Sequence, residues 1–158
     1  MWKKFLCALL VITMLFSMTG CSELFGCVFF LSLIASGDDR AEQTDIFQFV
    51  RKNENTLLQA IESGDFSVFE KYPMIKRITP YETFVEFYCG GYGIGSATSY
   101  VGFYYTADND MCAMHYAPSS SSELIPCGDG YEWQEPNGDN RYYTEHICGN
   151  FYYYELSF

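Results

Sequence analysis

Three patterns of apolar and polar positions follow one another along the chain. Residues 5–35 are nearly all apolar, broken at Thr19-Gly20-Cys21-Ser22-Glu23. From Ile46 the apolar side chains recur at helical spacing. Ile46, Phe47, Val50, Leu57, Leu58 and Ile61 fall on one face, and Gln48, Arg51, Lys52, Asn55, Gln59 and Glu62 take the other. That spacing predicts an amphipathic helix over residues 42–63. Gly64 is its C-terminal stop, and Asp65 is placed to cap a short helix through Tyr72 before Pro73.

Beyond Pro73 the pattern is that of strands. Residues 74–79 are a candidate. Residues 81–89 are a stronger one: Tyr81, Thr83, Val85, Phe87 and Cys89 share one face, while Glu82 and Glu86 mark the other. A glycine loop over 90–99 leads to a strand at 100–106. Residues 111–117 read as a short strand and 119–122 as a loop. Gly128-Asp129-Gly130 and Asn137-Gly138 are turn chemistry around a short strand at 131–134. The clearest hairpin is the last, where 141–148 and 151–158 flank the two-residue turn Gly149-Asn150. Such a turn pairs Cys148 with Phe151 and His146 with Tyr153. Tyr143, Ile147, Tyr152, Tyr154, Leu156 and Phe158 then share the more apolar face, expected against the helix. Tyr142, Thr144, His146, Cys148, Phe151, Tyr153 and Glu155 share the other. The fold class is α+β: an N-terminal amphipathic helix on an antiparallel sheet of five to seven strands, preceded by an apolar signal or anchor helix.

The leader changes where this domain is expected to be. Lys3 and Lys4 form a short basic start, and residues 5–18 are apolar. Met18-Thr19-Gly20-Cys21 then resembles a bacterial lipobox, with Met18 where Leu is usual. The resemblance implies a signal peptide over 1–20 and a lipid on the Cys21 thiol. Residues 21–40 are an apolar membrane-proximal segment and linker, and 41–158 a single domain. The second apolar run, 24–35, is too short to span a bilayer alone. It leaves three arrangements: a lipidated Cys21 with the run in the outer leaflet, an uncleaved anchor over 5–35, or a tight hairpin. The first two put the domain outside the cell, with Lys3 and Lys4 inside.

Charge excludes some partners. Acidic residues outnumber basic ones 20 to 9. Without Lys3 and Lys4 the balance is 7 against 20, or −13. Such a surface repels phosphate backbones and anionic lipid, so nucleic acid is not an expected partner and the membrane link falls to the N-terminus. All 14 tyrosines follow residue 71, which suits strands with one wet face.

From about residue 45 onward the chain resembles an uncharacterised family of bacterial membrane-tethered proteins with a lipoprotein-like leader and an aromatic-rich α+β domain. The residues that carry the resemblance are Phe87-Tyr88-Cys89-Gly90-Gly91-Tyr92-Gly93-Ile94, Tyr100-Val101-Gly102-Phe103-Tyr104-Tyr105-Thr106, Asp139-Asn140-Arg141-Tyr142-Tyr143-Thr144-Glu145 and the ending Phe151-Tyr152-Tyr153-Tyr154-Glu155 with Ser157-Phe158. It implies no activity, substrate or site.

Candidate chemistry is sparse. Cys112-Ala-Met-His115 with His146-Ile-Cys148 has the donor types of a zinc site, and Cys148 with a histidine those of a catalytic dyad. Half-exposed strand histidines are the plainer account, and no metal or other cofactor is expected. One disulfide at most is expected, Cys112 or Cys127 with Cys148. Asp108-Asn109-Asp110 lacks the glycine and distal glutamate of a calcium loop and reads as a solvated turn. The glycines of 90–95 have the wrong spacing for a nucleotide loop. Tyr100, Tyr104, Tyr142 and Tyr153, if exposed, would form a stacking platform for a glycan or another solute. The leading expectation is a non-enzymatic envelope protein on the outer membrane face, with an envelope protein or glycan as partner. The runner-up is a solute- or glycan-binding lipoprotein, and the third a cysteine-dependent enzyme. A deep cleft lined by tyrosines favours the second. Cys148 beside His115 or His146 in a pocket favours the third, and a convex surface the first.

Overall fold

The helical periodicity becomes one helix, α1 (Gln43–Ser63), in the computed structural model, which describes residues 39–94 and 97–158. The leader, Cys21 and the anchor run 5–35 lie outside the described residues. Ile46, Val50, Leu57 and Ala60 form the buried stripe of α1. Gly64 ends it at φ 70°, a left-handed conformation that a residue without Cβ adopts most easily. Asp65 then turns the chain by accepting from the Ser67 amide at 3.0 Å, which holds its carboxyl below the usual range. The helix expected there is a single 3₁₀ turn, Ser67–Phe69.

Seven strands follow: β1 (Arg77–Pro80), β2 (Phe84–Ile94), β3 (Ala97–Thr106), β4 (Ile125–Cys127), β5 (Gly130–Gln134), β6 (Arg141–Cys148) and β7 (Phe151–Ser157). They make one antiparallel sheet in the order β1-β2-β3-β7-β6-β5-β4. Residues 107–124 carry the chain from the middle of the sheet at β3 to its edge at β4. The chain then returns strand by strand until β7 pairs with β3. This crossover is longer than most loops in compact domains. It contains no strand at 111–117, where the sequence suggested one; the segment is a series of turns.

The glycine stretch is also not the expected loop. β2 runs on to Ile94 and β3 begins at Ala97, with a bulge between Tyr88 and Gly91. Gly90 takes φ +112° there, and a Cβ on it would strike the Asp39 carbonyl. The close approach lets the segment before α1 dock on the bulge: Ala41 N–H donates to the Cys89 carbonyl at 3.0 Å, and Gly91 N–H donates to Asp39 Oδ1 at 3.1 Å.

Two apolar clusters lie on opposite faces of the sheet. On the helix face, α1 and Phe69 pack against Val85, Phe87, Val101, Phe103, Phe151 and Tyr153. Phe87 and Phe103 stack at 4.5 Å and 5°, both fully buried. The other face carries Phe84, Tyr104, Tyr142, Tyr152, Tyr154 and Leu156, covered by Met111, Met114 and Leu124 of the crossover and its end. Among the described residues no buried side-chain nitrogen or oxygen lacks a partner, and no helix is long and apolar enough to cross a membrane.

The terminal hairpin corrects the face assignment. Cys148 pairs with Phe151 as expected, but His146 pairs with Tyr152, not Tyr153, because a one-residue bulge falls between His146 and Cys148. Side chains alternate strictly along a strand, so one extra residue exchanges the faces across the turn. Ile147, Phe151 and Tyr153 therefore face the helix, while Tyr152, Tyr154 and Leu156 join Tyr142 and Thr144 on the other side.

Candidate functional site

The crossover leaves part of its sheet face open. Alternation along β2 puts Phe84, Glu86 and Tyr88 on that face, and β3 adds Tyr100. Met114, His115 and Tyr116 of the crossover form the opposing wall, and Leu156 and Phe158 close one end. Together with Arg77 and Tyr81 they enclose a cleft of about 350 Å³, at the small end of ordinary ligand pockets.

Its walls are aromatic and braced against one another. Tyr81 stacks on Phe84 at 4.4 Å, and the His115 ring meets Tyr81 edge-on at 4.6 Å. Tyr116 stands edge-on to Phe158 at 5.0 Å, and Tyr100 lies 6.0 Å from Tyr88 and 5.9 Å from Phe158. Tyr81, Tyr100 and Tyr116 keep 38%, 37% and 58% of their surface exposed, so their rings are open to a visitor.

The floor is charged. Glu86 is 8% exposed, a setting in which a carboxylate needs partners. Tyr154 O–H donates to its Oε1 at 2.7 Å, a short charge-assisted bond. Burial first and the Glu86 charge second push the Tyr154 hydroxyl well above its ordinary value, so it stays a proton donor. The Arg77 guanidinium stands 3.9 Å from Oε2, outside hydrogen-bond range, and lies over the Tyr88 ring at 5.2 Å. Glu86 therefore keeps acceptor capacity toward the cleft.

Gly102 makes this geometry possible. It sits between Tyr88 and Tyr154 in the strand register, and a Cβ on it would strike the Phe87 carbonyl and the Tyr154 ring. With no side chain there, the Tyr154 ring lies across β3 and delivers its hydroxyl to Glu86 on β2.

The four tyrosines named from the sequence do not assemble. Tyr100 lines the cleft. Tyr104 and Tyr142 are 0% and 1% exposed under the crossover, where both hydroxyls reach the Met111 carbonyl, at 2.9 and 2.7 Å. Tyr104, Tyr142 and Thr144 also contact one another, and Thr144 donates to the Tyr153 carbonyl at 3.0 Å. Burial raises the Tyr104 and Tyr142 hydroxyls above their ordinary values. Tyr153 is buried on the opposite face, 6.0 Å from Phe47. A single stacking platform of these four is therefore not formed.

The other constellations also come apart. The bulge puts His146 beside Tyr152 and Cys148 against the helix-side core, so the two do not share a face. His146 Nε2 is spent on the Gly149 carbonyl at 2.8 Å. Burial and the neighbouring Glu54 push the Cys148 thiol up, the reverse of an activated nucleophile. Cys89, Cys112, Cys127 and Cys148 are free thiols, so the expected bridge to Cys148 is not made. Among the described residues no three His, Cys, Asp or Glu converge as metal ligands. Asp108-Asn109-Asp110 is a turn in which two side chains are engaged: Asp110 Oδ1 accepts from Cys112 N–H at 2.9 Å and Asn109 Oδ1 from Tyr152 O–H at 2.6 Å.

Glu86, read only as marking a strand face, and Arg77 were not singled out as site residues from the sequence. The signal was present, because an acid between Phe84 and Tyr88 on one strand face is flanked by aromatics. Nothing local says that residues 107–124 fold back over that face. Compared with known proteins, the chain matches no family model, no curated protein and no solved structure.

Proposed function

We propose that the chain is a non-enzymatic binding protein, tethered through its N-terminus to the outer face of a cell membrane, whose domain takes a small solute into the tyrosine-lined cleft. The tether is lipid on Cys21 or an uncleaved anchor over 5–35. The observation that carries the binding reading is the cleft itself: exposed tyrosine rings around a nearly buried carboxylate. Ligand sites combine apolar and aromatic walls with a few convergent polar groups in this way. Burial and Glu54 push the Cys148 thiol up, and the His146 Nε2 is held by the Gly149 carbonyl, which supports binding over cysteine chemistry.

Two experiments test the two halves. Cells fed a clickable fatty acid should label the wild-type chain and not Cys21→Ser; label retained in that variant ends the lipoprotein form of the tether. The detergent-solubilised full chain should be thermally stabilised by at least one solute in a library of mixed charge and polarity. That stabilisation should be lost in Tyr116→Ala. No stabilising solute, or a gain that survives the substitution, overturns the cleft as the binding site.

A further inference from the structure

We infer that the solute is a neutral carbohydrate of roughly one or two rings, a size suited to a pocket near the lower limit for small ligands. This rests on the reading above that the cleft binds a solute, and names what kind. The floor presents opposite charges side by side, Glu86 Oε2 and the Arg77 guanidinium 3.9 Å apart. A cation drawn to Glu86 meets Arg77, and an anion drawn to Arg77 meets Glu86 and an acidic chain of net charge −11. A neutral molecule with neighbouring hydroxyls meets no such opposition. One hydroxyl donates to the carboxylate while the next accepts from the guanidinium, and both bonds are charge-assisted.

The walls agree with the floor. A pyranose has faces of C–H groups, whose slight positive charge suits the negative face of an aromatic ring. Tyr81, Tyr100 and Tyr116 offer partly exposed rings around the carboxylate, so a ring can stack while its hydroxyl edge reaches Glu86. A zwitterion such as a betaine also matches the two charges. It has no flat face to set against the tyrosines.

The experiment is calorimetric titration of the full chain in a polyoxyethylene detergent, whose head group carries no sugar. The probes are glucose, galactose, N-acetylglucosamine and their β-linked disaccharides, set against choline, galacturonate and glycine betaine. At least one neutral sugar should bind more tightly than all three charged probes. Tyr116→Ala, at the exposed rim where folding is not at stake, should weaken that sugar about 5- to 10-fold, the size of one aromatic contact. Glu86→Gln keeps an acceptor for Tyr154 and removes the charge, and should weaken it about 10-fold. A charged probe that binds most tightly overturns the carbohydrate inference and leaves the solute-binding reading standing. Silence of every probe overturns the inference, and the mixed library above then decides the reading on its own. A sugar that binds equally well to both variants sits elsewhere and overturns the inference too.

Discussion

The two faces of the sheet are packed by different chemistry. On the helix face phenylalanine dominates: Phe47, Phe49, Phe66, Phe69, Phe87, Phe103 and Phe151 meet the apolar stripe of α1, with Tyr153 the buried tyrosine among them. On the crossover face Phe84 and Phe158 are joined by Tyr104, Tyr142, Tyr152 and Tyr154. The covering element explains the contrast. A helix satisfies its own interior backbone groups, so the surface beneath it can be dry. An irregular crossover brings carbonyls onto the sheet without partners, and buried carbonyls must be paired. Tyrosine does this while still filling volume. Tyr104 and Tyr142 hold the Met111 carbonyl, and Tyr152 reaches the Asn109 carbonyl at 3.4 Å and its side chain at 2.6 Å. The same irregularity leaves the sheet incompletely covered, and the uncovered part is the cleft.

Substitutions should separate the two faces. The largest effect is expected on the helix side. Phe103→Ala removes a fully buried ring stacked on Phe87 and should lose about 3–5 kcal/mol in denaturant titration, as large-to-small core changes do. A loss under 1 kcal/mol would mean that this face is not the tightly packed one.

The crossover face should be exposed by alkali. Tyr104, Tyr142 and Tyr154 all lie there with hydroxyls raised above their ordinary values, chiefly by burial, where the helix face has buried Tyr153 raised in the same way. Below about pH 10 both folded and unfolded chains keep these protons, and stability does not depend on them. Above it the unfolded chain releases protons that the folded chain retains. Stability should then fall by about 1.4 kcal/mol per pH unit for each, or about 4 for the three. Denaturant midpoints between pH 9 and 11 would show it, and Tyr142→Phe should lower the slope by about 1.4 kcal/mol per pH unit. A flat profile through pH 11 would contradict the buried hydroxyl network.

Smaller effects probe how the cleft is held. Gly102→Ala places a methyl against the Phe87 carbonyl and the Tyr154 ring. It should cost about 1–3 kcal/mol as an overpacking change and weaken any cleft ligand, because Tyr154 can no longer reach Glu86. Stability lost with ligand affinity intact would sever Tyr154 from the site. Tyr142→Phe at neutral pH should cost about 1 kcal/mol, since Tyr104 still donates to Met111. Combined with Tyr104→Phe the loss should exceed the sum, because the carbonyl is then abandoned. The mildest probe is alkylation of the native chain. Cys89, fully buried on the helix face with its thiol pushed up to about 12 by burial, should stay unmodified. Cys112, partly buried on the crossover face, should react first of the two, as peptide mass spectrometry would report. Equal rates would mean the helix face opens as readily as the other.

Local rules carried the sequence reading as far as local rules reach. Helical spacing from Ile46 to Ile61 and a glycine at 64 locate α1 to within a residue, because both are properties of neighbouring side chains and of one backbone angle. The Gly149-Asn150 turn locates β6 and β7 and the Cys148–Phe151 pair for the same reason. The errors begin where distant segments meet. One bulge at Ile147 exchanged the faces of the hairpin, and with them the surroundings of Tyr153, Tyr154 and Cys148.

Taken alone, the amino-acid sequence determined an acidic, aromatic α+β domain, its helix and most of its strands. Hydrophobic period, turn residues and charge are written residue by residue, so these follow without knowledge of the fold. The tertiary structure decided which tyrosines are open, that Glu86 is buried beside Arg77, and that His146 and Cys148 part company. Each depends on what lies across the sheet. The covering segment is joined to β2 and β7 through space and not through the chain, so no local pattern could announce it.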